Sequence, residues 1–442
     1  MASQLPPDIL HQIVECLYDD VVSLRSAMRV NKTWAEHAIS ILWEKPPVSA
    51  LAAVTADRRQ RYARQICELD FQGDRDGQKH AHFRALSFPR LRRVIIDLFR
   101  PCRDQKLWVG QYIQPALEDF TFYGVQPEED ILTRLESCVR LRKLVINYPI
   151  DGMNAARLLE FFEKRKSVTD IVLPALVSDV VNNQLVAYLA RRPGLKTLEL
   201  GRPLTHRDLT TALEGPHPFP NIVTLDLVVD SKAVAPLAEA VGSIRSLTLL
   251  IRDSDYGVLP PLGTLVELRL LDVALEGEML VSAEDLLALR GLRHLESFKI
   301  YLPEDLGSHP LTDQDVTKMW AGWRRLKYLE LYVNCSLSVA ALIDLAEKCP
   351  GLVGCEMPGS FDLQAWSEIP LALFPNLKHF VIDAAHVGYF YEGPIMERAG
   401  KLVSLIIRHA PRLEELHLRD RTPLDKKVVS MFQKRTGQIY NA

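Results

Sequence analysis

The sequence predicts an α/β chain: three short N-terminal helices, then an irregular solenoid with a parallel sheet on its concave face and helices on its convex face. Three observations carry this. Apolar residues at helical spacing crowd roughly the first 45 positions. A triplet, apolar-x-x-apolar-x-apolar, recurs from Ile66 to Leu418, and stretches of helical periodicity separate the triplets. Hydrophobic residues make up 48% and charged residues 25% of 442, the balance of a folded soluble protein. A net charge of −3 provides no global field for nucleic acid or anionic membrane. Cysteines stand far apart at 16, 67, 102, 138, 335, 349 and 355, an odd set that argues against a disulfide framework and fits a reducing compartment. With no apolar leader and no run near the ~18 residues of a membrane span, the expected location is cytoplasmic, nuclear or both.

Pro6 and Pro7 suit a helix start, and Asp8 falls in the positive first turn. Leu5, Ile9, Ile13 and Leu17 repeat at i, i+4, with Leu10 and Val14 widening the stripe, and Asp19-Asp20 ends the helix. Ser23 is the expected N-cap of a second helix through Leu24, Ala27 and Met28. Asn31 caps a third, which carries Trp34, Ala38, Ile41 and Leu42 and ends at Trp43, before Pro46-Pro47. Two tryptophans and about ten aliphatics exceed what so small a core can hide. The segment is a cap on the rest of the chain or a docking module.

The order Leu5-Pro6-Pro7-Asp8-Ile9-Leu10, Ile13, Leu17, Leu24, Val30, Trp34 and Leu42-Trp43 resembles the F-box motif. That motif opens on Leu-Pro and an acidic-Ile-Leu triplet and closes on a Trp and a Leu-Trp pair. Asn31 departs from a frequent Cys, and Asp19 to Val22 makes a slightly long loop. The resemblance implies a module that binds a Skp-family adaptor and, through it, a cullin–RING ubiquitin ligase. It assigns adaptor contact to Leu5, Pro6, Ile9, Leu10, Ile13, Leu17, Val30, Trp34, Leu42 and Trp43.

The repeats begin at Ile66-Leu69-Phe71 and continue through Leu91-Val94-Ile96, Leu117-Phe120-Phe122, Leu141-Leu144-Ile146, Val168-Ile171-Leu173, Leu195-Leu198-Leu200 and Ile222-Leu225-Leu227. Ile244-Leu247-Leu249, Leu265-Leu268-Leu270, Leu295-Phe298-Ile300, Leu326-Leu329-Leu331, Leu352-Cys355-Met357, Leu377-Phe380-Ile382 and Leu413-Leu416-Leu418 complete fourteen. Their mean period of roughly 27 lies in the leucine-rich-repeat range. Helical patterns fill Asp151 to Lys166, Ala283 to Leu292, Asp313 to Trp323 and Val339 to Cys349. Prolines at 89, 193, 220, 350, 375 and 411 stop helices ahead of strands. The array resembles the leucine-rich repeats that often follow an F-box, particularly divergent fungal ones. It lacks their usual Asn or Cys after the strand, having Phe99, Val125, Pro149 and Pro203, with only Asn334 fitting. The expected organisation is 1–48 F-box, 49–65 linker and first cap helix, 66–420 solenoid, and 421–442 C-terminal cap helix and tail.

Residues between the apolar triplet positions point outward on the sheet. They include Asp119, Thr121, Tyr123; Lys143, Val145, Asn147; Ser297, Lys299, Tyr301; Tyr328, Glu330, Tyr332; His379, Val381, Asp383; and Glu415, His417, Arg419. Tyr123, Lys143, Tyr301, Tyr328, Tyr332 and His379 are the candidate target contacts, because tyrosine anchors interfaces at low entropic cost. Tyr328, Tyr332 and Tyr301 are expected to cluster. Arg58, Arg59, Arg61 and Arg64, with Arg90, Arg92, Arg93, Arg100 and Arg103, could form one positive patch for an acidic or phosphorylated degron, the default being a solvated face.

No common enzyme motif occurs, so no catalytic, cofactor or metal residues are assigned. His80-x-His82 reads as a solvated loop from Asp74 to His82, and Cys349 and Cys355 as core. The expectation is therefore a non-catalytic substrate receptor with an unknown protein target and no nucleic-acid or membrane partner. An F-box scaffold acting outside ubiquitination is the alternative. A pure interaction solenoid with an N-terminal cap would bury Trp34 and Trp43 against residues 50–70.

Overall fold

The computed structural model describes residues 6–97, 109–123, 130–150, 152–253, 257–276, 282–302, 310–388 and 393–437. They form two units, Met1–Arg202 and Pro203–Ala442.

The first unit opens with α1 (Pro7–Glu15), α2 (Val21–Ala27) and α3 (Lys32–Leu42). Asp20, not Ser23, caps α2: its carboxylate accepts from the Val22 and Ser23 amides at 3.0 Å. A carboxylate there also suits the positive helix end. Asn31 caps α3 by accepting from the Trp34 amide at 3.0 Å. The module's core is Leu10, Val14, Leu24, Ala27, Ala38 and Ile41, with Leu17, Met28, Trp34 and Leu42 packed against it. Then come α4 (Val48–Ala53) and α5 (Ala56–Ala63). Trp43 stacks on Tyr62 of α5, ring centroids 4.2 Å apart. The Glu44 carbonyl accepts the Cys67 and Glu68 amides, so the helical module runs straight into the first strand.

Six parallel strands begin in this unit: β1 (Glu68–Gln72), β2 (Arg93–Asp97), β3 (Asp119–Phe122), β4 (Lys143–Ile146), β5 (Asp170–Leu173) and β6 (Thr197–Leu204). Helices such as Ala155–Lys164 and Asn183–Ala190 connect consecutive strands, as parallel pairing demands. Asn154 and Asn182 cap these two helices. The expected solvated loop around His80 is instead a helix (Gly73–Lys79) and a 3-10 turn (His80–Phe83). His80 is buried against the rings of Phe71 and Tyr112, with Tyr112 Oη 2.8 Å from its Nδ1, while His82 is exposed. A polar-looking stretch concealed one inward histidine, and burial lowers that ring's pKa from 6.5 to about 4.

The second unit holds β7 (Thr224–Val229), β8 (Ser246–Ile251), β9 (Leu270–Leu275), β10 (Ser297–Tyr301), β11 (Leu311–Thr312), β12 (Tyr328–Tyr332), β13 (Cys335–Ser336) and β14 (Gly354–Glu356). β15 (Ser360–Asp362), β16 (His379–Ile382), β17 (Ala384–His386) and β18 (Glu415–Leu418) follow. The main sheet runs β7-β8-β9-β10-β12-β14-β16-β18, all parallel, while β11-β13 and β15-β17 are side pairs. Helices were expected over 283–292, 313–323 and 339–349. They appear as Ala283–Leu287 with a 3-10 turn, Asp313–Trp320 and Val339–Lys348. The C-terminal helix Pro423–Thr436 starts from a Thr422/Asp425 capping box and buries Val428 and Phe432.

All fourteen predicted strands are present, and thirteen triplets are buried in the expected frame. The exception is β9. Leu265-Leu268-Leu270 satisfies the pattern, but so does Leu268-Leu271-Val273, three residues on. The second frame is the one adopted: Leu271 pairs with Leu247 and Val273 with Leu249, both buried, and Leu270 turns outward. Cys349 and Cys355 are core residues. None of the helices among the described residues is long and apolar enough to cross a membrane.

Candidate functional site

Two surfaces stand out, one in each unit. On α1 the expected stripe divides. Leu10 and Val14 enter the core at 2% and 0% exposure, while Ile9 and Ile13 stay outside at 44% and 40%. The module's core is too small to accept a stripe that wide. Tyr18, Val21, Val22 and Val30 are exposed too, so the module shows water six large apolar side chains. Val21 and Val22 look like loop residues in the sequence; Asp20 is the signal that corrects this, because capping there places both valines in the first helical turn.

Of the residues the F-box resemblance assigns to an adaptor, Leu5 lies outside the described residues. Pro6, Ile9, Ile13 and Val30 are exposed. Leu17, Trp34 and Leu42 are half-buried on the module's own core, and Leu10 is inside it. Trp43 is half-buried and stacks on Tyr62 of the linker helix. In the basic stretches Arg58, Arg61, Arg64, Arg90 and Arg92 are exposed. Arg59 donates to the Ala52 and Val54 carbonyls, Arg90 to Gln65, and Arg93 lies between Glu68 and Asp119. Arg100 and Arg103 lie outside the described residues.

In each unit the strands present ladders of outward side chains set by register. In the first unit one ladder is Glu68, Arg93, Asp119, Lys143, Asp170, alternating in charge. The next is Asp70, Ile95, Thr121, Val145, Val172, Glu199. Thr121 and Val145, expected outward and open, are 6% and 3% exposed, because β-branched neighbours one strand away cover them. Tyr123 is 41% exposed at the end of β3. Partial burial, then the charges of Glu199, Asp97 and Asp119, raise its phenol above the ordinary value.

In the second unit the expected tyrosine cluster is split. Tyr301 and Tyr332 are register partners with ring centroids 5.7 Å apart. Tyr328 sits four residues upstream, about 13 Å along the strand, with its ring over Gly354, where any Cβ would come within 2.9 Å of Cδ1. Around Tyr301 and Tyr332 a groove of about 550 Å³ is lined also by Thr248, Leu250, Asp272, Ala274 and Lys299. Sequence reasoning missed Asp272 and Ala274 because the β9 frame was displaced. Lys299 pairs with Glu330 at 3.0 Å, and His379 Nδ1 lies 3.0 Å from Glu415. Arg419 pairs with Glu356 and Asp383 and lies 5.0 Å above the Tyr332 ring. Burial first, then hydrogen bonding to Glu356, pushes the Tyr332 phenol up to about 12.

Residues 2–46 match the F-box-like family. The N-terminal module is an F-box-like domain. Among curated proteins, no relative matches the chain. A chain from the crystal structure of the Rad7 and Elc1 complex in yeast is similar at 15% identity and a TM-score of 0.43, over 86% of this chain and 87% of that one. An internalin (inlF) from Listeria monocytogenes is similar at 14% identity and a TM-score of 0.38, over 84% and 86%. The strand–helix repeats behind the F-box-like domain are of leucine-rich type, with the apolar triplet of each strand buried and the intervening side chains outward.

Proposed function

We propose that the chain is the non-catalytic substrate-recognition subunit of an SCF-type E3 ubiquitin ligase. Its F-box-like domain binds a Skp-family adaptor and thereby a cullin–RING core, and its repeats hold the target protein, in the cytoplasm, the nucleus or both. Residues 1–48 dock, 49–65 join, 66–420 present the target face and 421–442 cap the array. The observation that carries the reading is the family match over residues 2–46, on a module that leaves Ile9, Ile13, Val21, Val22 and Val30 exposed. Exposed aliphatics favour a protein partner, since covering the exposed part of each is worth about 1 kcal/mol.

The test is capture of a purified Skp-family adaptor by the full chain and by an Ile9→Asp/Ile13→Asp variant. The expected result is stoichiometric capture that the variant loses by at least about a hundredfold. Failure of the unaltered chain to bind the adaptor overturns the proposal. Adaptor capture without recruitment of a cullin would instead place the chain as a scaffold outside ubiquitination.

A further inference from the structure

Register turns the outward face of the second unit into a map of side chains. The central ladder reads Asp226, Thr248, Asp272, Lys299, Glu330, Glu356. Beside it runs Leu250, Ala274, Tyr301, Tyr332. The step from small Ala274 to two rings coincides with the groove, which Asp272, Ala274, Tyr301 and Tyr332 line. Asp383 and Glu415 add to the acidic side of this face, where Lys299 and Arg419 are the permanent cations among these described residues. Among the outward residues named here, carboxylates outnumber these two cations.

The molecule itself shows how this face holds a cation. The Arg419 guanidinium is gripped by Glu356 and Asp383 and covers the Tyr332 ring at 5.0 Å. The groove one strand over repeats those elements without an internal occupant of that kind among the described residues. Tyr301 offers a ring that is 48% exposed, and Asp272 a carboxylate. The Lys299 ammonium goes to Glu330 and acts on Asp272 only through its charge. Partial burial holds the Asp272 carboxyl above the usual carboxylate range, so a cation arriving there gains more than one meeting a fully hydrated acid.

We propose that this groove receives a lysine or arginine side chain from a basic, extended segment of the target, the cation lying against Tyr301 and Tyr332 and beside Asp272. The inference rests on the reading of the repeats as the target-binding part and adds the chemistry of what they bind.

A displayed library of random short peptides, selected against the full chain, tests it even while the target is unidentified. Enriched peptides are then titrated by fluorescence anisotropy at physiological salt. The expected outcome is enrichment of Lys or Arg, with affinity weakened at least about tenfold by Asp272→Asn and by Tyr301→Ser. Tyr301→Phe, which keeps the ring, should retain binding, as should Glu163→Gln, an exposed carboxylate on the helix Ala155–Lys164. Thermal unfolding of each variant separates lost binding from lost folding. The proposal is overturned if selection yields no binders, or yields peptides without cations. It also falls if Asp272→Asn and Tyr301→Ser leave affinity intact, or if Glu163→Gln weakens it equally. Adaptor capture measured on the same preparations keeps the two readings apart: intact capture with no groove binding sinks only the groove.

Discussion

The F-box-like domain and the repeats use apolar residues in opposite ways. In the repeats the strand triplets are consumed by the fold: thirteen lie buried as spaced, and the fourteenth is buried after a shift of three residues. Outward on the strands stand charges, hydroxyls and tyrosines together with Ile95, Val172, Leu250 and Ala274, and Val139, Leu176, Val266 and Leu371 are exposed outside the strands. In the domain, six residues make the core while Ile9, Ile13, Tyr18, Val21, Val22 and Val30 are left in water. The contrast teaches where to look for partners. On the proposed reading, the surplus of apolar residues marks the small domain's docking face, whereas the repeat array's partner must be read from what lies between its buried triplets.

The sharpest way to break this contrast is to hollow a repeat. Phe298 is fully buried on β10, its ring 4.8 Å from that of Trp323. Phe298→Ala should cost about 3–5 kcal/mol of stability, measured by urea unfolding. A loss below about 1 kcal/mol would mean the repeats are not packed as tightly as the buried triplets imply.

Arg192 comes next, an exception inside the contrast because it is a charge used as core. At 6% exposure it donates to the carbonyls of Phe162 at 2.7 Å and Val168 at 2.9 Å, and to that of Arg165, lying 5.8 Å over the Phe162 ring. It satisfies the carbonyls at and beyond the end of the helix Ala155–Lys164. Arg192→Met would keep bulk but orphan those acceptors, for an expected loss of about 2–4 kcal/mol. Equal stability of the two proteins would show that water replaces the guanidinium.

His80 supplies a pH-dependent version of the same point. Its folded pKa of about 4 lies below the ordinary 6.5. The unfolded chain therefore binds the proton first as pH falls, and stability declines from about pH 6.5 until the folded ring also titrates. At pH 5 the decline should be about 2 kcal/mol relative to pH 7.5. His80→Gln should remove that part of the acid sensitivity, and urea midpoints across pH are the measurement.

Much of the fold is legible in the sequence, for identifiable reasons. A period of roughly 27 with three apolar positions per unit leaves little freedom for the strands, and the displaced frame is β9, where two overlapping frames fit equally. The F-box resemblance is readable because its motif is ordered and dense. Side-chain direction is harder. An i, i+4 pattern cannot say which half of a wide apolar stripe a small core will admit, so Leu10 and Ile9 look equivalent. The fate of His80 depends on a partner, Tyr112, thirty-two residues away. The separation of Tyr328 from the other two tyrosines depends on strand register, which fixes position along the strand as well as neighbourhood.

The smallest effect sharpens the comparison most, because it pits adjacent residues of one helix against each other. Val14 is fully buried in the domain's core, and Ile13 next to it is 40% exposed. Val14→Ala removes packed methyls and should cost about 1–2 kcal/mol, enough to raise hydrogen exchange across α1 to α3. Ile13→Ala should change stability by less than about 0.5 kcal/mol, since an exposed side chain leaves no cavity behind. On the docking reading, that same near-silent substitution weakens adaptor capture roughly tenfold or more. If Ile13→Ala destabilised the domain as much as Val14→Ala, the exposed stripe would belong to the fold rather than to a partner, and the surplus of apolar surface would lose its meaning as a docking signal.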